Sequence, residues 1–244
     1  MTLTRRDFGR NMLAGLTAST LLGTGACGTD EAAGSDAGTG GTGGTGGSDA
    51  GTGGSDGGNL CTVYPQQTEG PYYLDLDMLR RDITEGKPGS ALRVVVQVQD
   101  EACAPLKDVA VDLWHCDADG VYSGFPGQLG NLDTSGQTFL RGTQVTDAEG
   151  IAEFDSIYPG WYPGRTTHIH FKVHTSSLTE ATSQLYFPEQ TTAAIYATAP
   201  YDVRGQKDTP NDLDSVTGGA LPPLAMIGGG GGTSFVATIL VTVA

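Results

Sequence analysis

The side chains best suited to chemistry cluster in one segment, Tyr158-Pro-Gly-Trp-Tyr162-Pro-Gly-Arg165-Thr-Thr-His168-Ile-His170-Phe-Lys-Val173. On a strand, residues i and i+2 project to the same face, so His168 and His170 converge while Ile169, Phe171 and Val173 turn to the core. Two imidazoles at that spacing suit a transition metal, although a His-x-His pair taken alone is more often two surface histidines. Tyr162 sits in a Pro-Gly loop just before the pair, where its ring can swing over the same place. A second tyrosine ends Trp114-His-Cys-Asp-Ala-Asp-Gly120-Val-Tyr122, and the Asp-Gly turn there would lift Tyr122 out of a sheet. Phenolates are hard anionic donors and imidazoles are borderline. Together they favour a hard, highly charged cation such as Fe(III) over zinc. His174, further along the same face, is expected to be solvent-exposed or structural, and His115, beside Trp114, to be a packed strand residue.

Strands must position these groups. Leu92 to Gln99 alternates Leu92, Val94, Val96 and Val98 with mostly polar partners, and Val109, Val111 and Leu113 repeat the pattern, as do Ile169, Phe171 and Val173. Ser234 to Val243 is rich in β-branched residues and follows a run of five glycines. Helical periodicity is scarce, and Asp75 to Arg81 and Thr191 to Ala197 are each expected to hold a turn or two. Many short strands without repeated helical crossovers predict an all-β fold, a β-sandwich of mostly antiparallel strands with little helix. Ser123 to Thr138 and Pro200 to Ala225 read as the long loops of the active site.

Composition divides the 244 residues into three parts. Fourteen of the 38 glycines lie in residues 28–59, a stretch with no Lys, no Arg and no large apolar side chain. It cannot bury enough surface to offset its ordering entropy and is read as a flexible linker. Residues 60–244 then make one domain of 185 residues. The first 27 residues carry a net +2, the linker −5 and the domain −12. A domain that acidic makes a poor partner for phosphate backbones, which argues against nucleic acid. Thr4-Arg5-Arg6-Asp7-Phe8 and the weakly apolar run Met12 to Ala26 resemble a twin-arginine export signal, too short and polar for a permanent span. Gly25-Ala26-Cys27 resembles a lipoprotein cleavage site, with Thr24 where an aliphatic residue is usual. The expectation is an exported protein of the periplasm or cell envelope, with a lipid on Cys27 as its membrane contact. In an oxidising compartment Cys61, Cys103 and Cys116 allow one internal bridge at most. Cys103 and Cys116 flank a single strand and stand too far apart, which leaves Cys61–Cys103 as the pair and Cys116 as a buried thiol.

The motifs in their order resemble the intradiol ring-cleavage dioxygenases, non-haem Fe(III) enzymes that open catechols between their hydroxyls. Thr68-Glu-Gly-Pro71-Tyr-Tyr73 looks like the motif that opens the family's catalytic domain, and Trp114 to Tyr122 has the spacing to its first tyrosine ligand. Ile157 to Tyr162 and Arg165-x-x-His168-Ile-His170 resemble the second tyrosine, an arginine and the histidine pair, and Gln184-Leu-Tyr-Phe187 the segment that supplies a glutamine. The resemblance implies Tyr122, Tyr162, His168 and His170 as iron ligands. Tyr162 would be released when catechol chelates the metal and then take a substrate proton. Arg165 would stabilise charge on the ring, and Gln184 would line the pocket. It also implies catechol and O₂ as substrates, both oxygen atoms entering a cis,cis-muconate-type diacid, and a role in aromatic catabolism. The helical dimerising domain of many relatives is replaced here by a signal and a linker, and a homo-oligomer is an expected form of the protein. Two other readings compete. One is a non-catalytic surface module of the same fold that binds aromatics or carbohydrate. The other is a zinc hydrolase, which lacks a nearby His-Glu-x-x-His motif. A carboxylated catechol would also want a cation, for which Arg141, Lys172 and Arg204 are the candidates.

Overall fold

The computed structural model describes residues 60–175, 180–218, 224–229 and 234–244, all within one unit, Gly58–Ala244. The expected signal, the linker and Cys27 lie outside the described residues. The chain runs through β1 (Ala91–Asp100), β2 (Ala110–Trp114), β3 (Arg141–Val145), β4 (Ile151–Ile157), β5 (His168–His174), β6 (Glu180–Tyr186), α1 (Glu189–Tyr196), β7 (Met226–Gly229) and β8 (Ser234–Val243). One sheet has the order β4, β1, β8, β7 and the other β3, β2, β5, β6. The pairings are antiparallel except β1 with β8, which runs parallel from Ala91↔Ser234 to Asp100↔Val243. This is the β-sandwich that the alternation predicts.

The two sheets share one core. Leu92, Val94, Val96 and Val98 from β1 are buried with Val111 and Leu113 from β2 and Ile169, Phe171 and Val173 from β5. Each such side chain contributes about 1.5–3 kcal/mol by leaving water. Because the apolar residues of β5 occupy every second position, His168, His170, Lys172 and His174 are forced onto the opposite face of their sheet.

Of the two expected helical segments, one forms. The Thr191 to Ala197 turns belong to α1, which starts slightly earlier. Asp75 to Arg81 is not helical; the chain there is extended, with Leu79 bridging Thr143 and Asp82 bridging Asp155. Arg80 N–H donates to Thr143 O and Thr143 N–H to Met78 O, while Ile83 N–H donates to Asp155 O and Asp155 N–H to Arg81 O. Those partners sit on β3 and β4, the open edges of the two sheets. A seven-residue helix is short of stable nucleation, and unpaired strand edges offer the same backbone better partners.

Before β1 the chain forms a strap across the sandwich. Cys61 is bonded to Cys103, with Cα atoms 5.4 Å apart, and Cys116 is a buried free thiol, as expected. Tyr64 N–H then donates to Thr242 O on β8 and Gln67 N–H to Thr182 O on β6. The strap thus passes from one sheet to the other and delivers residues 68–73 to the outward face of the β5 sheet.

Candidate metal centre and the arginine beside it

Register places the site. Arg141, Trp114, His170 and Gln184 form one row across β3, β2, β5 and β6, and His168 pairs with Tyr186 in the next. Two loops bring the tyrosines to that row. Tyr122 follows the Asp117–Gly120 turn, in which Asp117 Oδ1 accepts the N–H groups of Asp119 and Val121. Gly120 has φ +81°, and a Cβ on it would stand 2.0 Å from Trp161 O; a Cβ on Gly160 would stand 2.4 Å from Ala118 O. The two loops touch backbone to backbone through these glycines, a contact that any side chain would prevent. Tyr122 and Tyr162 therefore end with ring centroids 5.8 Å apart.

The four donors converge. His168 Nε2 lies 3.4 Å from Tyr122 Oη and 3.3 Å from Tyr162 Oη. The His168 and His170 rings meet at 4.8 Å, nearly perpendicular. His168 Nδ1–H donates to Thr166 O at 2.6 Å, which fixes the tautomer and leaves Nε2 with its lone pair turned to the tyrosine oxygens. Trp114 stacks flat on His170 at 5.0 Å, and Tyr72 from the strap stacks on Tyr122 at 4.4 Å. His170 Nδ1 is buried without a hydrogen-bond partner. Such an orphan is costly in a folded protein unless the site has a further occupant.

Burial keeps this group neutral. It lowers the His168 pKa to about 3, helped by the Arg165 charge, and drives His170 well below its ordinary value. It raises Tyr162 to about 12 against the opposing pull of Arg165, and Tyr122 well above the ordinary phenol value. Two neutral imidazoles and two protonated phenols thus face one another. Among the described residues no group of three or more His, Cys, Asp or Glu side chains could hold a metal ion, so a metal here must draw on the tyrosine oxygens. That requires a cation strong enough to ionise phenols in a buried setting. Fe(III) fits the donor set, and zinc does not.

Arg165 and Gln184, both singled out from sequence, are joined. Arg165 Nη2 donates to Gln184 Oε1, and Gln184 Nε2 donates to Thr68 O of the strap at 3.0 Å. The other face of the guanidinium meets Asp214, which accepts Arg165 Nε–H at 2.8 Å on Oδ2 and 3.1 Å on Oδ1. Sequence reasoning missed Asp214, whose only signal was its place in a long loop. It also missed Gln128, which grips the Tyr122 backbone by accepting its N–H at 2.7 Å and donating to its carbonyl at 2.6 Å.

The remaining histidines and cations are placed as well. His115 is buried between Cys116 O and Ser156 Oγ, a packed residue as expected. His174 is structural rather than exposed, held between Asp112 and Glu180. Arg141 is buried and donates to Ser123 Oγ, Ser123 O and Tyr72 O. Lys172 pairs with Glu69 and Glu180, and Arg204 lies over the Trp161 ring at 4.7 Å.

The family profile described as Dioxygenase matches residues 68–206. The protocatechuate 3,4-dioxygenase beta chain of Burkholderia cepacia is 34% identical over 137 residues, covering 52% of this chain and 56% of that protein. A chlorocatechol 1,2-dioxygenase of Rhodococcus opacus is 29% identical over 120 residues, covering 41% of this chain and 45% of its own length. The chain thus spans about half the length of these curated relatives. Among solved structures, the intradiol ring-cleavage dioxygenase from Tetranychus urticae superposes with a TM-score of 0.68 at 30% identity, covering 75% of this chain and 94% of that one. The chain belongs to the intradiol ring-cleavage dioxygenase family, whose members depend on non-haem iron.

Proposed function

We propose that this protein is a non-haem Fe(III) intradiol dioxygenase that cleaves a catechol-type ring between its hydroxyl-bearing carbons and adds both atoms of O₂. The observation that carries the proposal is the approach of both tyrosine oxygens to His168 Nε2, within 3.4 Å, beside His170 on a buried sheet face. Tyr122, Tyr162, His168 and His170 would hold the iron. Iron(III) there would accept electron density from a chelated catecholate and open the ring to attack by O₂.

The chain's own groups supply the rest. Tyr122 is 1% exposed and clamped by Gln128, so it is the fixed oxygen. Tyr162 is less buried and sits in a Pro-Gly loop, so, once ionised by the cation it would help to hold, its Oη would be the one free to move and receive a substrate hydroxyl proton. Arg165 presents a fixed positive charge where the catecholate oxygens lose their protons and one acquires ketone character. Gln184 holds that guanidinium and ties it to the strap. Trp114 and Tyr72 form aromatic walls that keep water from the reacting ring.

Residues 60–244 are the catalytic domain in this reading, and residues 1–27 export it, with Cys27 as the lipid attachment point and residues 28–59 as the tether. The Cys61–Cys103 bond supports export, because structural disulfides persist in oxidising compartments. The test is turnover of an unsubstituted catechol and a catechol carboxylate under ¹⁸O₂. Incorporation of two labelled atoms into a ring-opened diacid is expected with one of them. Tight binding of catechols with no ring opening would replace the enzyme by a binding module.

A further inference from the structure

The loop after α1 reaches back to the site through one residue. Asp214 has a fully buried side chain, and three of its four side-chain hydrogen bonds go to Arg165 and Thr166 beside the site. Oδ2 accepts Arg165 Nε–H and Thr166 N–H, both at 2.8 Å. Oδ1 accepts Arg165 Nε–H at 3.1 Å and Val216 N–H at 2.8 Å, the latter tying the carboxylate to its own short turn. Asp214 lies beyond the family match, which ends at residue 206.

A guanidinium on a long side chain samples many rotamers, and its charge helps a transition state only if it is already aimed. Here two acceptors hold it from opposite sides. Asp214 takes Nε and Gln184 takes Nη2. A planar fork pinned at two corners has one orientation. An isolated buried arginine would also carry a large desolvation cost, which a buried carboxylate offsets. We infer that Asp214 is a positioning residue that holds the Arg165 guanidinium in its working orientation at the reacting centre. The catalytic half of this inference rests on the dioxygenase reading; the structural half does not.

The first test therefore needs no turnover. In ¹⁵N-labelled full-length protein the Arg165 Nε–H resonance, identified by its loss in Arg165→Lys, should be protected from exchange. In Asp214→Asn its exchange should quicken roughly 10- to 100-fold, as expected on losing a charge-assisted bond. An unaltered exchange rate overturns the inference whether or not the protein cleaves catechols. An inactive wild type overturns the dioxygenase reading and leaves this test standing.

In the iron-loaded active enzyme, Asp214→Asn should lower kcat about 10-fold and change KM less than about threefold, with iron content retained. In an Arg165→Ala background the same substitution should add nothing, because its target is gone. Losses that multiply would show that Asp214 acts by another route. If Asp214→Asn does not fold, Arg165→Lys decides: it keeps the charge but not the fork, and full kcat in that variant overturns the inference.

Discussion

Four side chains point outward from β5, and the two ends of that row have opposite surroundings. His168 and His170 meet aromatic rings, each other and tyrosine oxygens, and among the described residues no carboxylate is paired with either. His174, on the same face one turn of the pleat beyond Lys172, has a carboxylate on each nitrogen, Asp112 Oδ2 at 3.0 Å and Glu180 Oε1 at 3.0 Å. Asp112 is further engaged by the Tyr73 hydroxyl at 2.8 Å and the Thr143 hydroxyl at 2.6 Å. The lesson is that alternation on a strand sets the face, whereas the neighbours decide the role. A histidine with both nitrogens committed has no lone pair to offer a metal. One with a single committed nitrogen, or none, does.

Substitutions at the two ends should therefore separate metal binding from stability. His168→Ala should reduce iron from about one per chain to less than about a tenth and turnover by at least ~10³, while His174→Ala should keep its iron. Metal analysis of the two variants side by side checks this, and iron loss in the His174 variant would break the contrast. Tyr122→Phe, which keeps the ring stack with Tyr72 and removes one oxygen, should weaken or shift the visible absorption and cost about 100-fold in kcat. A wild-type spectrum in that variant would remove Tyr122 from the metal shell.

The far end should answer in stability alone. Asp112→Ala leaves the Tyr73, Thr143 and His174 donors without their shared acceptor, for an expected loss of ~2–4 kcal/mol in urea unfolding with iron retained. A loss of iron larger than the loss of stability would show that the two ends are coupled, through Tyr73 and the Trp114 ring it packs on at 4.8 Å. A smaller effect comes from His115, buried on neither end. Burial lowers its pKa to about 4, with the Cys116 carbonyl and Asp117 opposing. The unfolded chain binds that proton near pH 6.5 and the folded one does not. Its contribution to stability is therefore present above about 6.5 and is lost as pH falls toward 4, by about 1 kcal/mol between pH 6.5 and 5.5. Urea titrations at both pH values, with and without His115→Gln, isolate this share, and an identical pH response in the variant would assign it elsewhere.

Most of the sandwich was legible because apolar alternation is local. β1, β2, β5 and β8 follow from Leu92–Val98, Val109–Leu113, Ile169–Val173 and the β-branched C-terminus. The parallel pairing of β1 with β8 was not, since it joins strands more than a hundred residues apart and depends on how the sheet closes. Asp75–Arg81 misled because its apolar spacing suits a short helix, while the open edges of β3 and β4 claim its backbone. The side chains that converge beside β5, Tyr122, Tyr162, His168 and His170, could be named together with Arg165 because they lie in compact motifs whose order is informative. Asp214 and Gln128 could not, being single polar residues in loops without periodicity. Their importance appears only when the fold brings Asp214 to Arg165, 49 residues away in sequence, and wraps Gln128 onto Tyr122. Likewise, the fate of His174 depended on cross-strand register, which sets Glu180 and Ala110 opposite it and leaves Asp112 within reach.

A visible absorption spectrum of the purified protein, with metal analysis on the same sample, decides whether the buried Tyr122, the half-buried Tyr162 and the two buried imidazoles bind Fe(III) together. A burgundy protein holding about one iron per chain is expected, its absorption bleaching or shifting when catechol is added. A protein that stays colourless after reconstitution with Fe(III) would contradict that binding.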